Sequence, residues 1–114
     1  MTELSLEIDF NEEPRALSEV LPYLNKLQEQ IWYNRHKNRE QKIEAGEIKL
    51  VKKYQPGNAH STIVQDIWQG AQEAAYRVET DYGLDELGPW DDFEWGFLNG
   101  KMAAIRWMAT LRLF

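Results

Sequence analysis

Hydrophobic and polar residues alternate in two short segments of the chain, which predicts two strands. Residues 4–10 place Leu, Leu, Ile and Phe on one side and Ser, Glu and Asp on the other, a period of two that is typical of a half-buried strand. A weaker alternation falls within residues 47–54, where Lys49 separates Ile48 from Leu50. Because a two-stranded sheet is marginal alone, these strands would need a layer of helices or a partner's strands.

A long helical segment lies between the two predicted strands. The sequence "NEEPR" is typical of a helix start, with Asn11 as the candidate cap. Proline inside a helix removes a hydrogen bond and clashes with the preceding turn, so we expect a short helix or turn over about 14–21 and then a kink or fresh start at Pro22. The apolar stripe that follows becomes polar beyond Ile31, and Gly46 suits the position just past the helix end.

A second helix is predicted after the loop "QPGNAHST". Its apolar stripe extends from Ile63 to Val78, with mostly polar residues on the opposite side. Thr62 and Gln65 fit a capping box at its start. Gly83 is expected to end this helix, because glycine commonly follows the last helical residue.

The last predicted helix, from about Asp91 to Leu111, is apolar on nearly every side. Such a helix is usually central in the core or buried by a partner. Gly96 and Gly100 lie one turn apart, and small residues in that pattern let another backbone approach closely. Since an internal glycine costs about 1 kcal/mol relative to alanine, tight packing is the expected compensation.

These elements predict an α-rich α+β fold in a single domain over residues 1–114, with three main helices packed together and one or two short strands in the N-terminal half. An all-α bundle is the alternative. The chain has no Cys, which excludes disulfides, thiol nucleophiles and cysteine-ligated zinc. It shows no signal-peptide pattern and no run of about 20 apolar residues, so we expect a cytoplasmic protein with no membrane partner.

Charge is distributed unevenly along the chain. The net charge is −6, yet residues 35–53 carry seven Lys or Arg against three acids, a local charge of +4, and the remainder carries −10. A globally acidic chain argues against nucleic acid as the partner, but a basic segment leaves that alternative open.

The basic segment begins inside the first candidate site, "IWYNRHKNRE", where aromatic and basic residues share a helix face. Guanidinium groups bind phosphate or carboxylate at two points and aromatic rings stack on bases, so nucleic acid or anion binding is one interpretation. A second is a solvated helix end whose aromatic rings pack inward, and a third is acid–base work or metal ligation by His36 with Glu40. The candidate binding residues are Trp32, Tyr33, Arg35, His36, Lys37, Arg39 and Glu40.

The second candidate site lies on the last helix, where charged residues fall on an apolar side. On a helical wheel, Glu94 and Lys101 lie close to Phe97, and buried charges require partners. A ligand pocket or a dimer interface would supply such partners, whereas a domain rim would let the long stems cover apolar surface. The candidate interface or pocket residues are Glu94, Phe97, Gly100 and Lys101.

No motif of known chemistry occurs at a diagnostic spacing. The chain has no Ser/His/Asp order, phosphate-binding glycine loop or HExxH motif, and the acids of "DELGPWDDFEW" lack EF-hand spacing. Its two histidines, His36 and His60, are too few for a convincing zinc site. We therefore predict no catalytic residue, no metal site and no cofactor, and favour a non-enzymatic protein over an enzyme.

The segments "IWYNRHKN" and "DFEWGFLNGKMAAIRWM" together resemble parts of a group of short bacterial proteins. The resemblance extends from "LEIDF" to Met108 and covers most of the chain. Those proteins carry no assigned activity, so the resemblance implies no functional residue. In that group an acidic, Trp-containing turn follows the last helix, whereas this chain continues as "ATLRLF" from Ala109.

The leading hypothesis is a small cytoplasmic interaction protein whose partner is a second copy of itself or another protein. The apolar last helix and the marginal pair of strands would both gain from such a partner. The alternative hypothesis is a nucleic-acid-binding or anion-binding module that uses the basic residues of 33–53.

Overall fold

The protein is described by a computed structural model over residues 14–112, where it has an α-rich α+β fold. The helices are α1 (Leu17–Glu44), α2 (Gln65–Tyr82) and α3 (Asp92–Arg112), and the strands are β1 (Lys49–Val51) and β2 (Thr62–Val64). The predicted fold class is confirmed by these elements. The predicted strand over 4–10 and the Asn11 cap lie outside the described residues.

The two strands form a small parallel sheet in which Leu50 of β1 pairs with Ile63 of β2. Strand β2 (Thr62–Val64) occupies the residues at which the sequence predicts the start of a helix. Thr62 Oγ1 donates to the carbonyl of Asn58 at 2.8 Å, and extended Val64 is the residue that precedes α2. The capping-box prediction is wrong, because the threonine hydroxyl closes the preceding turn and does not cap the helix.

Helix α1 runs without interruption through Pro22, so the predicted fresh start at this residue is wrong. Pro22 is the sixth residue of the helix, and its missing N–H leaves only the carbonyl of Ser18 without its donor four residues later. The amide of Val20 already bonds to the carbonyl of Ala16 at 3.1 Å, so the first turn is closed before the proline is reached. Gly46 follows the helix end as predicted, with a φ of 80°.

Helix α1 is the centre of the fold because it is buried on two faces. Leu27 and Ile31 on one face pack against Leu98 of α3. Tyr33 lies about 160° around the helix from Ile31 at 100° per residue, and it packs against Val78 of α2. The apolar stripe ends at Ile31 because burial moves to the second face, while the helix itself stays in the core.

Two amide side chains of α1 hold the connection between α2 and α3. Gln30 Nε2 donates to the carbonyl of Glu86 at 2.8 Å, and Asn34 Nδ2 donates to the carbonyl of Leu87 at 3.0 Å. Gly88 follows with a φ of 91°, and a Cβ added there would lie 3.1 Å from Asn34 Oδ1. The segment that leads into α3 is thereby fixed close to α1.

Replacing Gly88 by alanine is expected to lower the free energy of unfolding by about 1–3 kcal/mol. The positive φ is unfavourable for an L side chain, and the new methyl group would meet Asn34. Gly70→Ala in α2 is the matched control, because nothing lies within 4 Å of a Cβ at that position and helix propensity predicts a gain of about 1 kcal/mol. Urea denaturation measures both variants. A Gly88→Ala protein as stable as the wild type would contradict the close approach of this connection to α1.

Candidate functional site

His36, a candidate binding residue, is enclosed between two indole rings. Its imidazole stacks on Trp32 with 5.1 Å between ring centroids and on Trp68 with 4.6 Å. Nε2 lies 2.7 Å from Oε1 of Gln72 and 3.9 Å from Oε2 of Glu40. The residue is only 3% exposed, so His36 packs α1 against α2 and its ring is not accessible to a substrate.

Tyr33, a second candidate binding residue, is buried in the same interface. Its hydroxyl donates to Oε2 of Glu79 at 2.6 Å, and the ammonium group of Lys37 lies 5.7 Å from the centroid of its ring. Burial of the hydroxyl, and then its hydrogen bond to Glu79, raise the pKa of Tyr33 well above its usual range. The ring is occupied by packing and does not present a face on which a base could stack.

The other charged members of this set lie nearer the surface. Lys37 Nζ pairs with Oε1 of Glu40 at 3.1 Å. Arg35 and Arg39 are exposed, and no carboxylate of the described residues lies within 4.0 Å of either guanidinium group. The structure thus divides the first candidate site into an aromatic part that joins α1 to α2 and two arginines that face solvent.

The outer side of α3 is an uncharged, apolar surface. Phe93 is 81% exposed, Phe97 62%, Trp107 64% and Met108 55%. Together with the small residues between them, they occupy about 140° of the helix circumference at 100° per residue. We name this surface the α3 outer face, and it consists of Phe93, Gly96, Phe97, Gly100, Ala103, Ala104, Trp107 and Met108.

The exposure of the α3 outer face corrects the expectation that the last helix is central in the core. Of the described side chains of α3, only Leu98 and Ala109 on the inner side are fully buried. Gly96 and Gly100 were expected to admit another backbone, but nothing lies within 4 Å of a Cβ added at either position. Residues 14–112 therefore leave most of this face uncovered, and only its end at Ala104 and Met108 borders a cleft shared with the start of α1. A core position is therefore wrong for this side of α3, whereas burial of the same side by a partner, the other expectation for this helix, stays a prediction.

Glu94, Phe97 and Lys101, from the second candidate site, line one cleft between α1 and α3. The ammonium group of Lys101 lies 5.4 Å from the ring centroids of both Tyr23 and Phe97, which are cation–π contacts. Among the side chains that the structure describes, no carboxylate lies within 4.0 Å of this ammonium group. Gly100, the fourth member of the set, lies on the α3 outer face beside the cleft.

Glu94 has a second role that sequence reasoning missed. The amide of Glu94 donates to Oδ1 of Asp91 at 2.7 Å, and the amide of Asp91 donates to Oε1 of Glu94 at 3.1 Å. This reciprocal pair is a capping box. Its signal is present in "DDFE", an acid followed three residues later by glutamate, and it fixes where α3 begins.

In the described part of the chain, no three His, Cys, Asp or Glu residues come together as a metal site. No helix there is both long enough and apolar enough to cross a membrane. No family model, curated protein or solved structure matches this chain. The resemblance to short bacterial proteins therefore stays a prediction.

The raised pKa of Tyr33 predicts a loss of stability at high pH. A folded-state pKa above the unfolded value favours the neutral hydroxyl, so this contribution is full below about pH 10 and is lost as the pH rises above that value. Between about pH 9 and pH 11, Tyr33→Phe is expected to lose about 1 kcal/mol less unfolding free energy than the wild type. Urea denaturation across this range measures the difference.

Tyr54→Phe is the control for this measurement, because the Tyr54 side chain is 67% exposed and its variant is expected to follow the wild-type profile. If Tyr33→Phe also follows the wild-type profile, the Tyr33 hydroxyl is not held buried against Glu79 in solution.

Proposed function

We propose that this is a small cytoplasmic, non-enzymatic interaction protein that binds a protein partner through the α3 outer face. The observation that carries the proposal is the exposure of Phe93, Phe97 and Trp107 on one helix side with no charge among them. Their side chains and Met108 together expose roughly 500 Å². An apolar patch of several hundred Å² on one chain often marks a protein-binding surface, and aromatic residues are enriched at the centre of such interfaces.

The two glycines of the α3 outer face support a protein partner. Gly96 and Gly100 each cost about 1 kcal/mol relative to alanine inside a helix, and no described residue packs against them. Alanine at either position would be compatible with the chain as described. Glycine is useful there if a partner's side chain enters the space that a Cβ would occupy.

The surroundings of His36 favour binding over catalysis. A general base must reach the proton that it abstracts, directly or through one water. Trp32 and Trp68 cover both faces of the His36 ring, and Gln72 lies against its Nε2 atom. The imidazole is therefore used to join two helices.

A nucleic acid or an anion at the basic segment is the second candidate partner. One observation favours it: six exposed cations have no carboxylate within 4.0 Å among residues that the structure describes. These are Arg35, Arg39, Lys42, Lys49, Lys52 and Lys53. The burial of Tyr33 and His36 removes two rings that would stack on bases. Binding through the cations would weaken steeply as the salt concentration rises.

A photo-crosslinking residue, p-benzoylphenylalanine, in place of Phe97 is expected to form a covalent adduct with a protein in cells that express the full chain. Tyr76 on α2 is the matched control, because it is an aromatic residue with 71% exposure outside the α3 outer face. Immunoblotting after irradiation measures the adduct, and its mass separates a second copy from another protein. Equal crosslinking at both positions, or none at Phe97, would contradict a partner at the α3 outer face.

A further inference from the structure

The order of large and small residues along the α3 outer face narrows the choice of partner. Phe93, Phe97, Gly100, Ala104 and Trp107 follow one another at alternating intervals of four and three residues. This is the spacing of a coiled-coil seam, in which side chains of one helix enter spaces on a facing helix. The seam is bulky at its start and small in its middle, so a facing helix must supply the reverse order.

A second copy of α3, placed antiparallel, supplies that order. If Phe97 lies opposite Gly100 of the second copy, the same register places Phe93 opposite Ala104, and two-fold symmetry repeats both contacts. The space above Gly100 is open, because nothing lies within 4 Å of a Cβ added there. A phenyl ring from the second copy can therefore enter it while the described chain stays as it is.

The same register brings opposite charges together at the edge of the seam. Glu94 and Lys101 each follow a seam residue by one position, so they lie along the same edge of it. In an antiparallel pair this edge faces its own copy, and Glu94 falls about 3 Å along the axis from Lys101 of the second copy. Neither side chain has an ion pair within the described residues.

Charge also argues against the neighbouring register. Sliding the two copies by one heptad would place Lys101 beside Lys101 of the second copy, and like charges at such an edge are unfavourable. That slide would also set Phe97 opposite Trp107, with the small residues left to face each other. Residue size and charge therefore select the same register.

The exposed apolar area of the α3 outer face supplies a large part of the area that a stable dimer buries. The four large side chains expose roughly 500 Å², and a standard interface buries roughly 800 Å² on each partner. The small residues of the α3 outer face add further apolar area to these roughly 500 Å². So does the flanking ring of Tyr23, which is also exposed.

We propose that a second copy of this chain covers the α3 outer face, with the two α3 helices antiparallel, Phe97 over Gly100, and Glu94 paired with Lys101. The inference rests on the proposed function and names the partner of that same surface. It makes the protein a homodimer whose interface consists mainly of one helix from each copy.

The first test fills the space above Gly100. Sedimentation equilibrium of the full chain is expected to show a dimer at high micromolar concentration, and Gly100→Leu is expected to weaken it at least about tenfold by overpacking at two symmetric sites. The substitution should not lower the melting temperature of the monomer, since the added side chain meets open space and leucine favours helix. Gly70→Leu in α2 is the matched control, with equally open space and an expected wild-type dimer.

The second test exchanges the charges. Glu94→Lys and Lys101→Glu are each expected to weaken the dimer about tenfold, because both symmetric pairs become repulsive. Mixing the two variants should restore wild-type affinity as a heterodimer, since each copy then offers the opposite charge. A loss of the cap at Asp91 in Glu94→Lys cannot produce this rescue, so recovery on mixing reports the pairing itself.

The outcomes separate this inference from the proposed function. A wild-type chain that stays monomeric, or a Gly100→Leu dimer as tight as the wild type, overturns the second copy as partner. Weakening by Gly100→Leu without rescue on mixing overturns the antiparallel register. If the chain is monomeric and the photo-crosslinker at Phe97 still captures a different protein, the proposed function stands and the homodimer falls.

Discussion

The hydrogen bonds from Gln30 and Asn34 to the connection after α2 determine how the rest of this molecule is arranged. They hold the carbonyls of Glu86 and Leu87 against α1, only a few residues before α3 begins. The capping box that starts at Asp91 then fixes the first turn of α3. The connection and the first turn together fix the position of α3 relative to α1. Only one side of α3 then faces the core, and the opposite side is left for solvent or for a partner.

The aromatic and basic segment of α1 has a structural explanation in the same arrangement. Helix α1 is buried against α3 through aliphatic side chains, but against α2 through Tyr33 and His36. Polar rings suit the second face because Glu79 and Gln72 of α2 supply hydrogen-bond partners for them. Residues that resemble a ligand site in sequence therefore act mainly as packing, and the arginines beside them remain on the surface.

Sequence patterns predicted those elements whose burial follows a single stripe with clear ends. Helix α2 ends at Tyr82 and Gly83 follows it, as expected from its pattern. The interruption at Pro22 was wrong because one lost hydrogen bond, to the carbonyl of Ser18, does not end a helix whose first turn is already closed. Strand β2 was missed because three residues carry little periodic signal. Its pairing also depends on the return of the chain to β1, which local patterns do not encode.

The candidate site could be predicted only in part, because local sequence patterns do not show which helix faces the fold will bury. A helix that is apolar on nearly every side does not reveal which side its own chain will cover. Once Leu98 is placed against α1, the opposite side becomes the α3 outer face, and its size and charge order can be compared with possible partners. Lys101 and Phe97 were found by their charge and apolar neighbours in sequence, whereas their position beside Tyr23 required the folded chain.

Hydroxyl-radical footprinting of the intact chain tests the covering of the α3 outer face most directly. A dimer in this register predicts that oxidation of Phe93 and Phe97 falls as the protein concentration rises through the range of dimer formation. Oxidation of Tyr76, which lies on α2 and is similarly exposed, should stay constant. Equal oxidation of Phe93 and Phe97 at every concentration would contradict a second copy over the α3 outer face.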